Sequence, residues 1–217
     1  MAKDYITYNE ALNRRMNDMG FKRKNRETFR RQSGEKYGDA IQEISFSHST
    51  YHIPHVRFYH VHAFLHYPKI DELNKTIGAN IYSTGGNFGN IINGSFKEWR
   101  VAESDTPEYI EGVVVEEICT DMERYIIPFM NRYSFFENIL EDVEKGILSN
   151  YLYDFFHMPA VLYYLLGSKQ QAYAFLERKM EYLKQMTEEN RPLYLSHYQE
   201  FIEKFKFYVD NHPIGEG

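Results

Sequence analysis

The chain has 217 residues, of which 43 % are hydrophobic, 17 % aromatic and 26 % charged, and that length supplies one sizeable core or two small ones. A formal net charge of −6 argues against a dedicated nucleic-acid protein, and the single cysteine, Cys119, rules out an internal disulfide and fits a reducing compartment. The opening stretch "MAKDYITYNEALNRRMND" has no apolar signal region, and the longest apolar run, Ala160–Leu166, falls far short of the roughly 20 residues a membrane span requires, so a cytoplasmic protein with no membrane partner is expected.

In chain order, Tyr8, Ala11, Leu12, Arg15, Met16 and Met19 recur at helical spacing, and Gly20 is a suitable left-handed stop. A short strand is expected around Thr28–Gln32, with Ser33-Gly34 and Tyr37-Gly38 marking a hairpin turn. "AIQEISFSHS" and "RFYHVHAFLHY" both alternate apolar and polar residues and read as strands. Pro68 ends the second strand, and a short helical turn near Lys69–Asn74 follows it. "TIGANIYSTGGNFGNIINGSFKEWRVA" reads as three short strands separated by Gly85-Gly86 and Asn93-Gly94, the latter a hairpin signal.

From residue 104 the character becomes helical. Asp105 or Thr106 can cap a helix that begins at Pro107 and carries the stripe Ile110, Val114, Ile118, Met122 and Tyr125. Pro128 should end or kink it, Ser134–Glu137 has capping-box spacing, and Gly146 can close the helix so opened. Pro159 begins a further helix that Gly167 ends. Ser168 can cap the next, whose face carries Ala172, Phe175, Leu176, Leu183 and Met186. Asn190 and Pro192 start a last helix with an aromatic stripe of Tyr194, Tyr198, Phe201, Phe205 and Tyr208, read as a core seam in preference to a peptide groove. The expected fold is therefore α+β: an N-terminal helix plus an antiparallel sheet of about five or six strands over 1–103, then a mainly helical half over 104–217. No flexible linker separates the halves, so one structural unit is expected.

Six of the nine histidines lie between His48 and His66. Residues two apart on a strand share a face, so His60 and His62 present both imidazoles together. Burial places Ile44 and Phe46 on one face with Tyr59, Val61 and Leu65, which puts Glu43, Ser45 and Ser47 beside His62, His60 and Phe58. His48 goes to the apolar face and His52 and His55 into the loop. The open face then comprises Glu43, Ser45, Phe58, His60, His62, Phe64 and His66. A metal held by Glu43, His60 and His62 is geometrically conceivable, although zinc catalysis needs three protein ligands and an open position. The ordinary explanation, imidazoles satisfied by serine hydroxyls and Glu43, is preferred; a wet aromatic–histidine binding face ranks second and the divalent metal last.

The segment Arg14–Arg31 carries eight basic residues (Arg14, Arg15, Lys22, Arg23, Lys24, Arg26, Arg30, Arg31) against Asp18 and Glu27, whereas Glu103–Lys145 holds twelve acids and three bases. The basic run is either a solvated edge that blunts sheet pairing or a site for an anionic partner. "STGGNFGNIING" lacks the Lys-Ser/Thr of a phosphate-binding loop and reads as turn chemistry. Cys119, placed mid-helix, reads as a buried thiol, not a nucleophile.

One resemblance spans most of the chain. Gly20-Phe21-Lys22-Arg23-Lys24, then Phe29-Arg30, then an aromatic strand with Phe46, resembles a bacterial family catalogued only as a domain of unknown function. Ser47 stands where that pattern has Gln, and the later "IPFMNRY" and "LLGSKQQAYAFLE" segments fit its C-terminal half. The resemblance implies an α+β cytosolic domain and supplies no catalytic residue to carry over. The favoured reading is a non-catalytic protein that binds another protein, on the pattern of immunity or antitoxin proteins. A metal-dependent enzyme built on Glu43, His60 and His62, and a nucleic-acid binder using Arg14–Arg31, are the alternatives.

Overall fold

The computed structural model describes residues 6, 9–32, 34, 38–77, 84–147, 157–185 and 191–212. The fold is α+β, with an N-terminal helix, a six-stranded antiparallel sheet and a mainly helical remainder. The chain divides into two compact units, 1–66 with 84–134 and 67–83 with 135–217, so the composition change at residue 104 lies inside the first of them.

In the first unit, helix α1 (Glu10–Asp18) starts where the Asn9 side chain accepts from the amides of Ala11 and Leu12, and it buries Leu12 and Met16. Gly20, at φ 85°, lets the chain leave the helix and seat Phe21 in the core. Strands β1 (Lys22–Arg23), β2 (Thr28–Arg31), β3 (Ile41–Ser49) and β4 (Val56–His66) follow in antiparallel order. A single bridge between Gly34 and Gly38 sits at the expected hairpin; Ser33 and Tyr37 lie outside the described residues. Strand β4 is the hub. It pairs with β3 along Phe58–His66, with β5 (Thr84–Asn87) at His62–Leu65 and with β6 (Trp99–Ala102) at Val56–Tyr59.

The stretch before β6 differs from its sequence reading. Gly85 lies within a strand, not in a turn: its φ is +146°, and a Cβ there would stand 2.0 Å from the Ala63 carbonyl oxygen, so β5 can approach β4 only through glycine. The expected middle strand is the short helix α3 (Phe88–Asn93). Asn87 caps its start by accepting from the Gly89 amide, and Gly94 at φ 77° closes it, so Asn93-Gly94 ends a helix instead of turning a hairpin. The 78–83 part of the stretch lies outside the described residues.

Residues 107–133 then form a continuous helical run in which α4 (Pro107–Tyr109), α5 (Glu116–Asp121) and α6 (Ile127–Tyr133) alternate with wide π turns at Ile110–Val115 and Met122–Ile126. Thr106 caps it and Pro107 occupies its first turn, as read from the sequence. The π turns rotate the buried stripe, so Val115, Cys119, Ile126 and Met130 join Ile110, Val114, Ile118 and Met122, while Tyr125 stays 36 % exposed. Pro128 does not end the run: it stands in the first turn of α6, where a missing N–H is tolerated, just after the second wide turn.

Helix α6 is tied to the sheet by a buried polar network. Arg31 donates to the Gln42 side-chain oxygen, to the Met19 carbonyl at 3.0 Å and to Asn131 Oδ1 at 2.6 Å, while Gln42 Nε2 donates to Ser134 Oγ at 2.8 Å. Ser134 in turn donates to the Met130 carbonyl at 2.6 Å. Ser134 is therefore spent on Gln42 and forms no capping box; Phe135 holds the N-cap position of α7 without a side-chain bond.

The second unit contains α2 (Pro68–Ile77), α7 (Phe136–Glu144), α8 (Met158–Leu165), α9 (Lys169–Gln185) and α10 (Arg191–Asn211). The turn expected at Lys69–Asn74 is a full helix, because Ile70, Leu73 and Ile77 make one buried stripe beginning from Pro68. Gly146 at φ 72° and Gly167 at φ 81° close α7 and α8. The stripe on α10 is a core seam: Tyr198, Phe201 and Phe205 are buried, with Phe201 and Phe205 stacked at 5.5 Å. Met186, Asn190 and the Tyr194 side chain lie outside the described residues.

Candidate functional site

The two faces of the β3–β4 hairpin follow from alternation. Ile44, Phe46, Tyr59, Val61, Ala63 and Leu65 are each at most 1 % exposed and form the inner face. Phe58, His60, His62, Phe64 and His66 are half-buried on the other side. His48 shares the inner side's parity and packs on Tyr59 at 5.7 Å, though it is exposed at the strand end, and His52 and His55 lie in the loop, as expected.

The register is shifted by two residues from the sequence expectation. Ser45 faces His62, Ser47 faces His60, and Glu43 faces Phe64 instead of His62. A slip of two keeps every side chain on its face but changes every neighbour. The connecting loop sets it. Tyr51, His52 and His55 adopt φ of 44°, 59° and 61°, uncommon for residues with a Cβ, and the first four residues of β4 pair with β6.

Glu43 is consequently engaged elsewhere. It accepts from Arg30 Nε at 2.5 Å, across the β2–β3 ladder. Its Oε2 is 3.6 Å from His66 Nε2, too long for a hydrogen bond, and that buried ring nitrogen has no other hydrogen-bond partner. Glu43, His60 and His62 do not converge, and no group of three or more His, Cys, Asp or Glu among the described residues could hold a metal ion. The metal reading is corrected on that geometry: the carboxylate is spent on a guanidinium.

What the face does carry is a row of rings. His62 and Phe64 stack at 5.9 Å with their planes 14° apart, and Phe64 continues to His66 at 6.3 Å. At the other end His60 meets Tyr51 at 6.1 Å and the Phe96 edge at 5.1 Å, while Tyr51 packs on Phe58 at 4.9 Å. Tyr51 OH donates to Glu98 Oε2 at 3.0 Å and lies 3.2 Å from His60 Nε2. Tyr51 and Phe96 remain 52 % and 55 % exposed. Burial holds the His62 imidazole below its ordinary pKa, and the neighbouring His60 adds to that, so its neutral form is favoured. Tyr51, Phe96 and Glu98 were not singled out from the sequence; an aromatic among turn residues, as in "NGSFKEW", is the signal that marks them.

The basic segment is dispersed by folding. Arg14 reaches Glu111 at 3.6 Å, and Arg15 divides between Glu116 at 3.0 Å and Glu123 at 2.9 Å, so the acidic helical run neutralises this end. Arg30 is held by Glu43, and Arg31 is buried in the polar network. Arg23 donates to Asn13 Oδ1 and to the Arg26 carbonyl at 2.7 Å, with its guanidinium 4.5 Å above the Phe29 ring. Lys22, Lys24 and Arg26 are exposed.

The glycine-rich stretch forms no phosphate cradle. A helix does start there, at Phe88, but Asn87 Oδ1 already occupies the Gly89 and Lys97 amides. Cys119 is fully buried, and desolvation pushes its thiol up to about 11, opposite to what a nucleophile needs. No helix among the described residues is long and apolar enough to cross a membrane. No protein-family model, no curated protein and no solved structure matches this chain, so its functional reading rests on its own residues.

Proposed function

We propose that this chain is a non-catalytic cytoplasmic protein that binds another protein through the outer face of its sheet. The observation that carries the reading is the row Phe58–His60–His62–Phe64–His66, extended by Tyr51 and Phe96 at more than half exposure. Rigid rings offer large contact area at little entropic cost, and aromatic anchors dominate protein interfaces. Glu98, at the Tyr51–Phe96 end of the row, favours a partner segment that pairs basic side chains with apolar ones.

The test is selection of a displayed random-peptide library on the full chain. Selected peptides should lose binding to the Phe58→Glu/Phe64→Glu variant and keep it for Tyr182→Glu/Phe207→Glu, which alters exposed aromatics of the other unit. Peptides indifferent to the first variant and sensitive to the second would overturn the assignment.

A further inference from the structure

We propose that the depression beside β1 and β2 binds a small oligophosphate-type anion. This site is separate from the ring row and does not depend on it. The depression has a volume of about 550 Å³ and is lined by Lys22, Arg23, Lys24, Arg30 and Arg31, with Gly20 and Gln32; no carboxylate among the described residues lines it. That volume falls within the roughly 300–1,000 Å³ of small-ligand sites.

The Arg23 guanidinium is positioned before any ligand arrives, by Asn13 and the Arg26 carbonyl, whereas Arg30 is ion-paired with Glu43 and the buried Arg31 guanidinium is engaged by Gln42, Asn131 and the Met19 carbonyl. A positioned side chain loses little rotamer freedom on binding, and a guanidinium matches phosphate oxygens in geometry. Lys22 and Lys24 stand on the exposed rim and supply adaptable charge; Lys22 Nζ is only loosely held, 3.3 Å from Asn17 Oδ1.

A short anion suits the site better than a polymer. The cationic surface does not continue toward α1, where Arg14 and Arg15 are matched by Glu111, Glu116 and Glu123, and the chain as a whole carries −6. A long polyanion extending past the depression toward α1 meets Glu111, Glu116 and Glu123, which a compact one bound at Lys22 and Lys24 does not.

Calorimetric titration of the full chain with inorganic triphosphate, at about 50 mM and 200 mM salt, tests the site. Saturable one-to-one binding that weakens with salt is expected. Lys22→Gln/Lys24→Gln should weaken it at least about tenfold, and Arg14→Gln/Arg15→Gln should leave it unchanged. Thermal melts confirm that each variant is folded, since all four side chains lie away from the core. Absence of saturation, or equal affinity in the lysine variant, would overturn the proposal. So would a single-stranded oligonucleotide that binds more tightly than triphosphate, because the surface would then serve a polymer.

Discussion

The two faces of the β3–β4 hairpin are made by the same residues in alternation, yet they differ in kind. The inner face presents aliphatic and aromatic side chains sealed to 1 % exposure or less, and its buried polar member, Gln42, is bonded to Arg31 and Ser134. The outer face presents imidazoles and phenyl rings left half in water, with a carboxylate at each end. Burial explains the first completely. It does not explain why β4 repeats rings at each outward position from Phe58 to His66, where serine or threonine would satisfy a solvated strand equally well. The inner face holds the fold; the outer face is the part available for contact.

Substitution sharpens this contrast, and the largest effects belong inside. Phe46→Ala removes a fully buried ring that meets Phe29 edge-on at 6.0 Å, and should cost about 3–5 kcal/mol, read from the denaturant midpoint. A loss under about 1 kcal/mol would mean that the inner face is not the core it is described to be. Gly85→Ala comes next. The added methyl meets the Ala63 carbonyl in a backbone conformation that L residues avoid, and about 2–3 kcal/mol should be lost through displacement of β5, visible as faster amide exchange at Ala63 and Leu65.

The sequence resolved the faces but not the neighbours. Parity was legible because a period of two is written into Ile44, Phe46, Tyr59, Val61 and Leu65, and only one assignment buries them together. Register was not, because it depends on left-handed Tyr51, His52 and His55, and a modest preference of histidine for that conformation does not say which loop residues adopt it. The charge run at Arg14–Arg31 was equally plain, but what neutralises it is not local: Glu116 lies 101 residues beyond Arg15. Gly85 looked like a turn because glycine permits two different things, reversal of the chain and close approach of a strand, and only the neighbouring Ala63 carbonyl distinguishes them. Ser134 had the spacing of a cap and was drawn instead into the Gln42 network, a tertiary demand stronger than the local one.

Smaller effects come from titration. Burial and His60 hold His62 below its ordinary pKa, so the unfolded chain takes up that proton first, near pH 6.5. Stability from this group is therefore complete above about pH 6.5 and falls as pH drops through the window down to the folded value. The midpoint difference between pH 7.5 and 5.5 should accordingly be smaller in His62→Gln than in the wild type. Cys119, whose thiol is raised to about 11 by burial, should react with a thiol reagent at about pH 8 only as fast as the native state opens; prompt stoichiometric labelling would contradict its placement.

The central claim is that the outer rings serve binding and not stability, and Phe64→Ala tests it most directly. A peptide selected on the wild-type chain should bind this variant at least about tenfold more weakly, while the denaturant midpoint reports a loss of no more than about 1 kcal/mol. Unchanged affinity, or a stability loss as large as that of Phe46→Ala, would place Phe64 among the residues that hold the fold and contradict the account.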